Sequence, residues 1–237
     1  MVNLTDVRQA VAVAGAGRQP YGTAANFEFD AREDGLFLQQ ELTEYSEFVT
    51  YLANEHKGAK LAIDIGIASG GQTKFLRDFF SIPETIIVDL GQHHEFCHWE
   101  RIRPQVASKI ILEIIGDSHS KAVYERLRPY ARKIDFAFID GDHSFVGLMR
   151  DIMLVQELCV PGTLFVLHDT TAVPDCRKVF ERLCRNVDFE LLRNFDRQFG
   201  IAVFRCLQPA RQRPFWRHQL AGAAWRYLPC RGNGGPA

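Results

Sequence analysis

The chain has 237 residues, 46% of them hydrophobic and 24% charged, and its 28 Lys and Arg against 29 Asp and Glu leave a formal net charge of −1. That apolar fraction excludes a disordered or collagen-like chain, and the length suits one α/β domain with a substantial core. The balanced charge excludes the global basic field that wrapping a long nucleic acid requires.

Residues 1–34 show no sustained helical or strand period and are expected to form an arm or cap. The small-residue run from Ala10 follows Asp6 and a single arginine, too weak a pattern for a signal peptide. No segment reaches the ~18 uninterrupted apolar residues of a membrane span. The six cysteines are scattered without a CxxC pair, which fits reduced packing thiols in a cytoplasmic protein. Leu42, Tyr45, Phe48, Val49 and Leu52 then mark an amphipathic helix.

From Leu61 onward, short β-branched runs alternate with amphipathic stretches, the pattern of β-α units around a parallel sheet. The predicted strands are Leu61–Gly66, Thr85–Leu90, Lys109–Ile115, Lys133–Asp140 and Gly162–Asp169, each nearly continuously apolar, as strands buried on both faces are. Phe75, Leu76, Phe79 and Phe80 repeat at helical spacing, as do Phe145, Leu148, Met149 and Ile152, and then Cys176, Val179, Phe180 and Leu183. Asp188–Phe195 and Gly200–Cys206 are separated by a link too short for a crossover helix, so they predict an antiparallel hairpin at one edge. The fold class is therefore α/β: a Rossmann-like, mostly parallel sheet with a C-terminal antiparallel hairpin and helices on both faces. The domain spans 35–206, and 207–237 is a basic, aromatic extension.

Function is signalled by where the aspartates fall. Asp64 closes the first strand, and Asp89, Asp117, Asp140 and Asp169 lie at or just beyond the ends of the next four. Ligands of open α/β sheets bind outside the carboxyl ends of the strands, so five carboxylates are expected around one crevice. The first strand runs into Gly66-Ile-Ala-Ser69-Gly70-Gly71, a turn whose glycines let backbone approach a ligand. Its GxxxGG spacing matches neither the dinucleotide fingerprint nor a P-loop. Asp89, at the end of the second strand, is placed to accept hydrogen bonds from ribose hydroxyls. An anionic pyrophosphate would sit poorly among these carboxylates, whereas a sulfonium cation carrying an amino group would sit well, so the charge pattern fits S-adenosyl-L-methionine.

The segments IDIGIASGGQT (63–73), IIVDL (86–90), IIGDS (114–118), FIDGDHSFVGLMRDI (138–152) and PGTLFVLHD (161–169) resemble class I S-adenosylmethionine-dependent methyltransferases. Within them the resemblance is to the branch of cephalosporin-hydroxylase-like proteins and macrolide-sugar O-methyltransferases. It covers roughly Leu61 to Cys206 and is most specific in IDGDHS followed by LHD. It implies that Asp64, Gly66 and Ser69, with the turn at Gly70, surround the methionine end of the cofactor. Asp89 would hold the ribose, and Asp117 with Ser118 would border the adenine. It also implies that Asp140 and Asp169 ligate a divalent metal, with His143 as base.

Hard oxygen ligands suit Mg²⁺, and such an ion lowers the pKa of a bound hydroxyl. Metal-binding relatives carry two adjacent acids after the fifth strand, where this chain has His168-Asp169. The softer imidazole shifts the preference toward Mn²⁺ or Zn²⁺, or away from any metal. The expected acceptor is a sugar or another small hydroxylated molecule, methylated on oxygen.

Two further features stand apart. His94 and His98 share a face if helical, a spacing that can hold zinc, against the alternative of a polar rim to the site. The tail from Leu207 carries five arginines and no acid, with Phe215, Trp216, Trp225 and Tyr227. It is either a solvated extension or a surface for anionic membrane or polyanion. Two other functional readings stay open at this point: an NAD(P)-dependent oxidoreductase on a similar sheet, and a catalytically silent protein that binds a cofactor or partner through its tail. A homo-oligomer is compatible with the sequence.

Overall fold

A computed structural model describes residues 1–13, 38 and 40–216. In chain order it contains α1 (Leu4–Val13), α2 (Leu42–Glu55), β1 (Leu61–Ile65), α3 (Gly71–Phe79), β2 (Glu84–Asp89), a 3-10 turn at His94–His98 running into the short α4 (Trp99–Ile102), β3 (Lys109–Ile115), α5 (Lys121–Leu127), β4 (Ile134–Ile139), α6 (Phe145–Leu158), β5 (Cys159–Leu167), α7 (Pro174–Leu183), β6 (Phe189–Phe195) and β7 (Ile201–Cys206). The predicted strands are present with ends shifted by a few residues. The largest shift is at β5, which begins at Cys159 and passes through Pro161 and Gly162 before its buried run.

The seven strands lie in the order β3-β2-β1-β4-β5-β7-β6. β1, β2, β3, β4 and β5 pair in parallel, while β7 runs antiparallel to both β5 and β6. Strand order reverses between β1 and β4, which places a crevice at their carboxyl ends. Alternate residues of each central strand serve opposite faces. Ala62, Phe136, Phe138, Leu164, Val166 and Val203 pack with α1, α2 and α3. Ile63, Ile65, Ala137, Ile139, Phe165 and Phe204 pack with α5, α6 and α7. This period of two, with apolar side chains on both sides, explains why the strands read as continuous apolar runs.

Two elements depart from the sequence reading. Residues 4–13 form a helix although no period marked them, because only Val7 and Val11, both 0% exposed, are fully buried there, with Ala10 partly so, and they pack beside α2. The rest of the expected arm, 14–34, lies outside the described residues, as does 217–237. The cysteines also divide: Cys159, Cys176 and Cys206 are buried, while Cys97 and Cys184 are exposed. Among the described residues no helix is long and apolar enough to cross a membrane.

Glu44 on α2 fixes the β6–β7 turn relative to the sheet. Its buried carboxylate accepts hydrogen bonds from the backbone N–H groups of Arg197, Gln198, Phe199 and Gly200, at 2.9, 3.3, 3.0 and 3.0 Å. Burial raises its pKa, and these four donors oppose the rise. The consequence for the site is that Phe199 is held over the carboxyl end of β5.

Candidate active site

The strand ends converge because the ladder continues just past them. Gly66 N–H donates to the Val88 carbonyl at 2.9 Å, Gly116 N–H to the Asp89 carbonyl at 2.8 Å, and Asp140 N–H to the Ile65 carbonyl at 2.8 Å. The loops that follow therefore leave the sheet side by side and enclose a cavity of about 550 Å³, within the usual range for small-molecule sites. Gly66 is required at its position. Its φ is +77°, and a Cβ there would lie 2.1 Å from the Asp140 carbonyl oxygen. Gly66→Ala is expected to lower stability by at least about 2 kcal/mol, read as a shifted urea midpoint, because it combines a left-handed Ala with an overpacked backbone contact.

One end of the cavity is built from the loops after β2 and β3. Asp89 accepts from the Ile67 N–H at 2.7 Å through Oδ2 and from the Gly91 N–H at 2.6 Å through Oδ1. Each carboxylate oxygen has a further lone pair, so Asp89 is oriented by backbone while still able to accept from a ligand. Asp117 and Ser118 line the same end. Ser118 Oγ donates to Asp151 Oδ1 at 2.7 Å, and His119 Nε2 lies 3.1 Å from that same oxygen. Burial opposes charge on His119, but the Asp151 hydrogen bond and the nearby Asp117 and Asp142 raise its pKa overall.

The other end holds a cluster of acids and imidazoles. His143 Nε2 lies 3.2 Å from Asp140 Oδ1 and 3.3 Å from Asp169 Oδ2. His168 Nδ1 lies 3.2 Å from Asp169 Oδ2 and 3.5 Å from Asp140 Oδ1. Single ligand atoms of Asp140, His143 and Asp169 all fall within 4.8 Å of one another. Burial alone would raise the Asp140 pKa, but the two imidazoles hold it well below the usual carboxylate range. The hydrogen bond to Asp140 raises the pKa of His143. His168 is raised as well, the two carboxylates overcoming the effect of burial. Asp169 takes up a φ of +60° in forming this cluster, and Ala68 in the glycine-rich turn has φ +48°. Left-handed backbone at non-glycine residues is uncommon, and here two such residues line one cavity.

His168 is the fixed member of the cluster. Its ring lies 5.7 Å from Phe199 at an interplanar angle of 29° and 6.2 Å from Phe138, and Nε2 is 2.9 Å from Gln40 Oε1. Nδ1 is buried and makes no well-aligned hydrogen bond. That leaves a buried nitrogen aimed at two carboxylates, the environment of a metal-binding imidazole whose other nitrogen is held by an outer partner.

The cavity thus brings together Gly66, Ser69, Asp89, Asp117 and Ser118 with Asp140, His143, His168 and Asp169. Two sequence-assigned residues are not part of its wall. Asp64 is 1% exposed and turned into the protein, where it accepts from Thr73 Oγ1 at 2.7 Å and pairs with Arg77 at 2.8 Å. Four of the five strand-end aspartates therefore line the cavity, with Asp142 as a further carboxylate there, because the Asp64 side chain leaves β1 toward α3. Gly70, with φ +83°, accommodates Trp99: a Cβ there would meet the indole at 2.2 Å. Its service to the site is through the shape of the turn.

Gln40 and Phe199 were not found from sequence. Gln40 is separated from its partner His168 by 128 residues, and Phe199 sits in an unremarkable hairpin link. The histidine run divides. His93 lines the cavity, with its pKa lowered by burial, while His94 and His98 both turn to Glu95 at 3.3 Å.

Comparisons with known proteins agree with this geometry. Residues 63–170 match a family described as methyltransferase domain. Among solved structures, cofactor-bound Rv0187 from MTB is 16% identical with a TM-score of 0.57, over 88% of this chain and 99% of that one. A methyltransferase from Geobacter sulfurreducens is 16% identical with a TM-score of 0.54, over 88% and 98%. The O-methyltransferase TomG from Streptomyces achromogenes, solved with SAM, is 14% identical with a TM-score of 0.52, over 87% and 100%. At these identities the likeness concerns the fold. No curated protein matches the sequence.

Proposed function

We propose, from the match of residues 63–170 to a methyltransferase family and from the cavity described above, that S-adenosylmethionine is the donor and that the acceptor is an oxygen of a sugar or another small hydroxylated molecule. The observation that carries this reading is the polarity of one cavity: Asp89 and Asp117 at one end and the Asp140–His143–His168–Asp169 cluster at the other. The structure of TomG with SAM supports the choice of donor. S-adenosylmethionine, when bound, supplies a methyl group on a cationic sulfonium. Asp89 accepts from its ribose hydroxyls, Asp117 and Ser118 border the base, and the turn at Gly66 and Ser69 faces the methionine end.

At the opposite end, the half-exposed His143 is the base. It faces the cavity and takes the proton of the acceptor hydroxyl, and the resulting imidazolium is stabilised by Asp140 and Asp169 on either side. Phe199 and Gln40 bound the acceptor and hold His168 still. The buried Nδ1 of His168, which faces both carboxylates without a well-aligned hydrogen bond, fits a divalent ion held by Asp140, His168 and Asp169, and one imidazole with two carboxylates suits Mn²⁺ better than Mg²⁺. Such an ion would supply a positive charge that lowers the pKa of the acceptor hydroxyl. Closely positioned reactants then leave an in-line transfer governed by orientation.

Calorimetric titration with S-adenosylhomocysteine tests the donor. Binding is expected, and Asp89→Ala is expected to weaken it by about 10–100-fold, the loss of charge-assisted hydrogen bonds to two hydroxyls. Thermal stabilisation by NAD(H) and none by S-adenosylhomocysteine would overturn the reading in favour of hydride transfer.

A further inference from the structure

The stretch after β7 does not leave the fold directly. Ala210 N–H donates to the Gln156 carbonyl at 2.9 Å, and Gln156 Nε2 donates to the Gln208 carbonyl at 2.9 Å. Farther on, Arg213 N–H donates to the buried Glu157 carboxylate at 3.2 Å, and its carbonyl accepts from the Tyr124 hydroxyl. Gln212 Nε2 reaches the Arg128 carbonyl at 3.4 Å, and the Phe215 ring lies 5.7 Å from that of Tyr124. Residues 208–215 are thereby strapped across α6 onto α5.

This strap assembles a basic surface from distant parts of the sequence. Arg211 and Arg213 are exposed on either side of Gln212, which reaches the backbone of the exposed Arg128, and the turn that follows Arg128 carries exposed Arg132 and Lys133. That turn is folded back by hydrogen bonds from the Ala131 N–H to the Arg128 carbonyl at 3.1 Å and from the Lys133 N–H to the Tyr130 carbonyl at 3.1 Å. Of these cations, Arg128 pairs with Glu125 at 3.0 Å, while the Glu157 carboxylate under the strap is buried. Trp216, 56% exposed, closes the described chain, and the sequence continues through Arg217, Leu220, Trp225, Arg226 and Tyr227.

We propose that the surface formed by Arg128, Arg132, Lys133, Arg211, Arg213 and Trp216 docks the protein on an anionic phospholipid bilayer. Arginine and lysine around an exposed tryptophan suit the headgroup layer, where each basic residue adds to binding and the indole settles at the interface. A net charge of −1 gives no long-range field to gather a nucleic acid, whereas a bilayer needs only a local patch. Phe215 is laid against Tyr124, which limits its use as a base-stacking platform. The turn carrying Arg132 and Lys133 leads into β4 from its amino end, opposite the carboxyl ends that form the cavity. Docking therefore leaves the cavity mouth open to water, and the inference holds whatever the cavity binds.

The test is co-sedimentation of the full chain with phosphatidylcholine vesicles containing about 30% phosphatidylserine, with pure phosphatidylcholine vesicles and an RNA oligonucleotide as parallel arms. Sedimentation with the anionic vesicles alone is expected, with release in about 0.5 M salt, where the Debye length falls to a few ångströms. The strap holds Arg213 by its backbone, so Arg211→Glu with Arg213→Glu should keep the melting temperature and lower vesicle binding by at least about tenfold. Lys133→Gln provides a second variant away from the strap and should lower it by a smaller factor. No sedimentation, equal sedimentation with neutral vesicles, unchanged binding by both variants, tighter binding of the RNA, or release by millimolar inorganic phosphate at constant ionic strength would each overturn the proposal.

Discussion

Asp140→Asn and Asp169→Asn are each expected to lower methyl transfer by about a hundredfold or more, while the Kd for S-adenosylhomocysteine stays within about threefold. Asparagine is the informative replacement. It keeps the size of the side chain, removes its charge, and is among the residues that tolerate the left-handed backbone Asp169 adopts at φ +60°. At position 140 the backbone N–H to the Ile65 carbonyl is untouched, so the wall between β1 and β4 remains in place. What is lost is one of two negative charges between which His143 and His168 are held. Loss of a positioned acid–base group typically costs 10²–10⁴-fold in rate. Steady-state rates on a responsive acceptor, paired with calorimetry on the same preparations, separate the two effects. A parallel fall in rate and affinity would move the carboxylates to the cofactor end. If the ion belongs to the mechanism, exhaustive chelation should reduce wild-type activity and added Mn²⁺ should restore it, with no restoration in either variant. Activity indifferent to chelation would remove the ion while leaving the proton-transfer role of His143 standing.

The sheet was legible because burial on both faces writes itself into each strand as an apolar run, and the hairpin because so short a link between its strands admits no helix. The end of the cavity beside β2 and β3 was legible for a related reason: Asp89 closes β2 and Asp117 lies just past β3, so strand ends locate them. The end beside β4 and β5 was only half legible. Asp140, His143, His168 and Asp169 lie in two short motifs, whereas Gln40 and Phe199 come from segments whose sequence carries no signal and whose positions depend on Glu44 binding the β6–β7 turn across more than 150 residues. Helix α1 escaped notice because two valines are a weak stripe, and its stability comes from docking on α2. The basic, aromatic composition of the tail is plain in the sequence, but the exposed cations just past α5 that the strap approaches are contributed by tertiary contacts that no local pattern announces.

Asp64 is where family resemblance and physical environment part, and Asp64→Ala is expected to lower stability by about 3–5 kcal/mol with little change in S-adenosylhomocysteine affinity. The pair with Arg77 is fully enclosed, with side-chain exposures of 1% and 0%. Arg77 also lies 3.3 Å from Thr85 Oγ1 and 5.7 Å over the Phe136 ring, but its Nε and second amino group are buried without hydrogen bonds. Removing the carboxylate therefore strands a guanidinium that cannot lose its proton and has no water to turn to. Breaking one side of a buried pair costs that amount because of the charge left behind, and the pair itself contributes far less. The same reasoning predicts that Asp64→Leu combined with Arg77→Met recovers most of the loss, since an apolar pair of similar volume removes the stranded charge. Urea denaturation of the single and double variants measures both values, and their difference is the coupling between the two residues. A single variant of near-normal stability that binds S-adenosylhomocysteine tenfold more weakly would return Asp64 to the cofactor. The expected opposite result makes Asp64 the residue that locks α3 to β1, so that the glycine-rich turn between them keeps its shape.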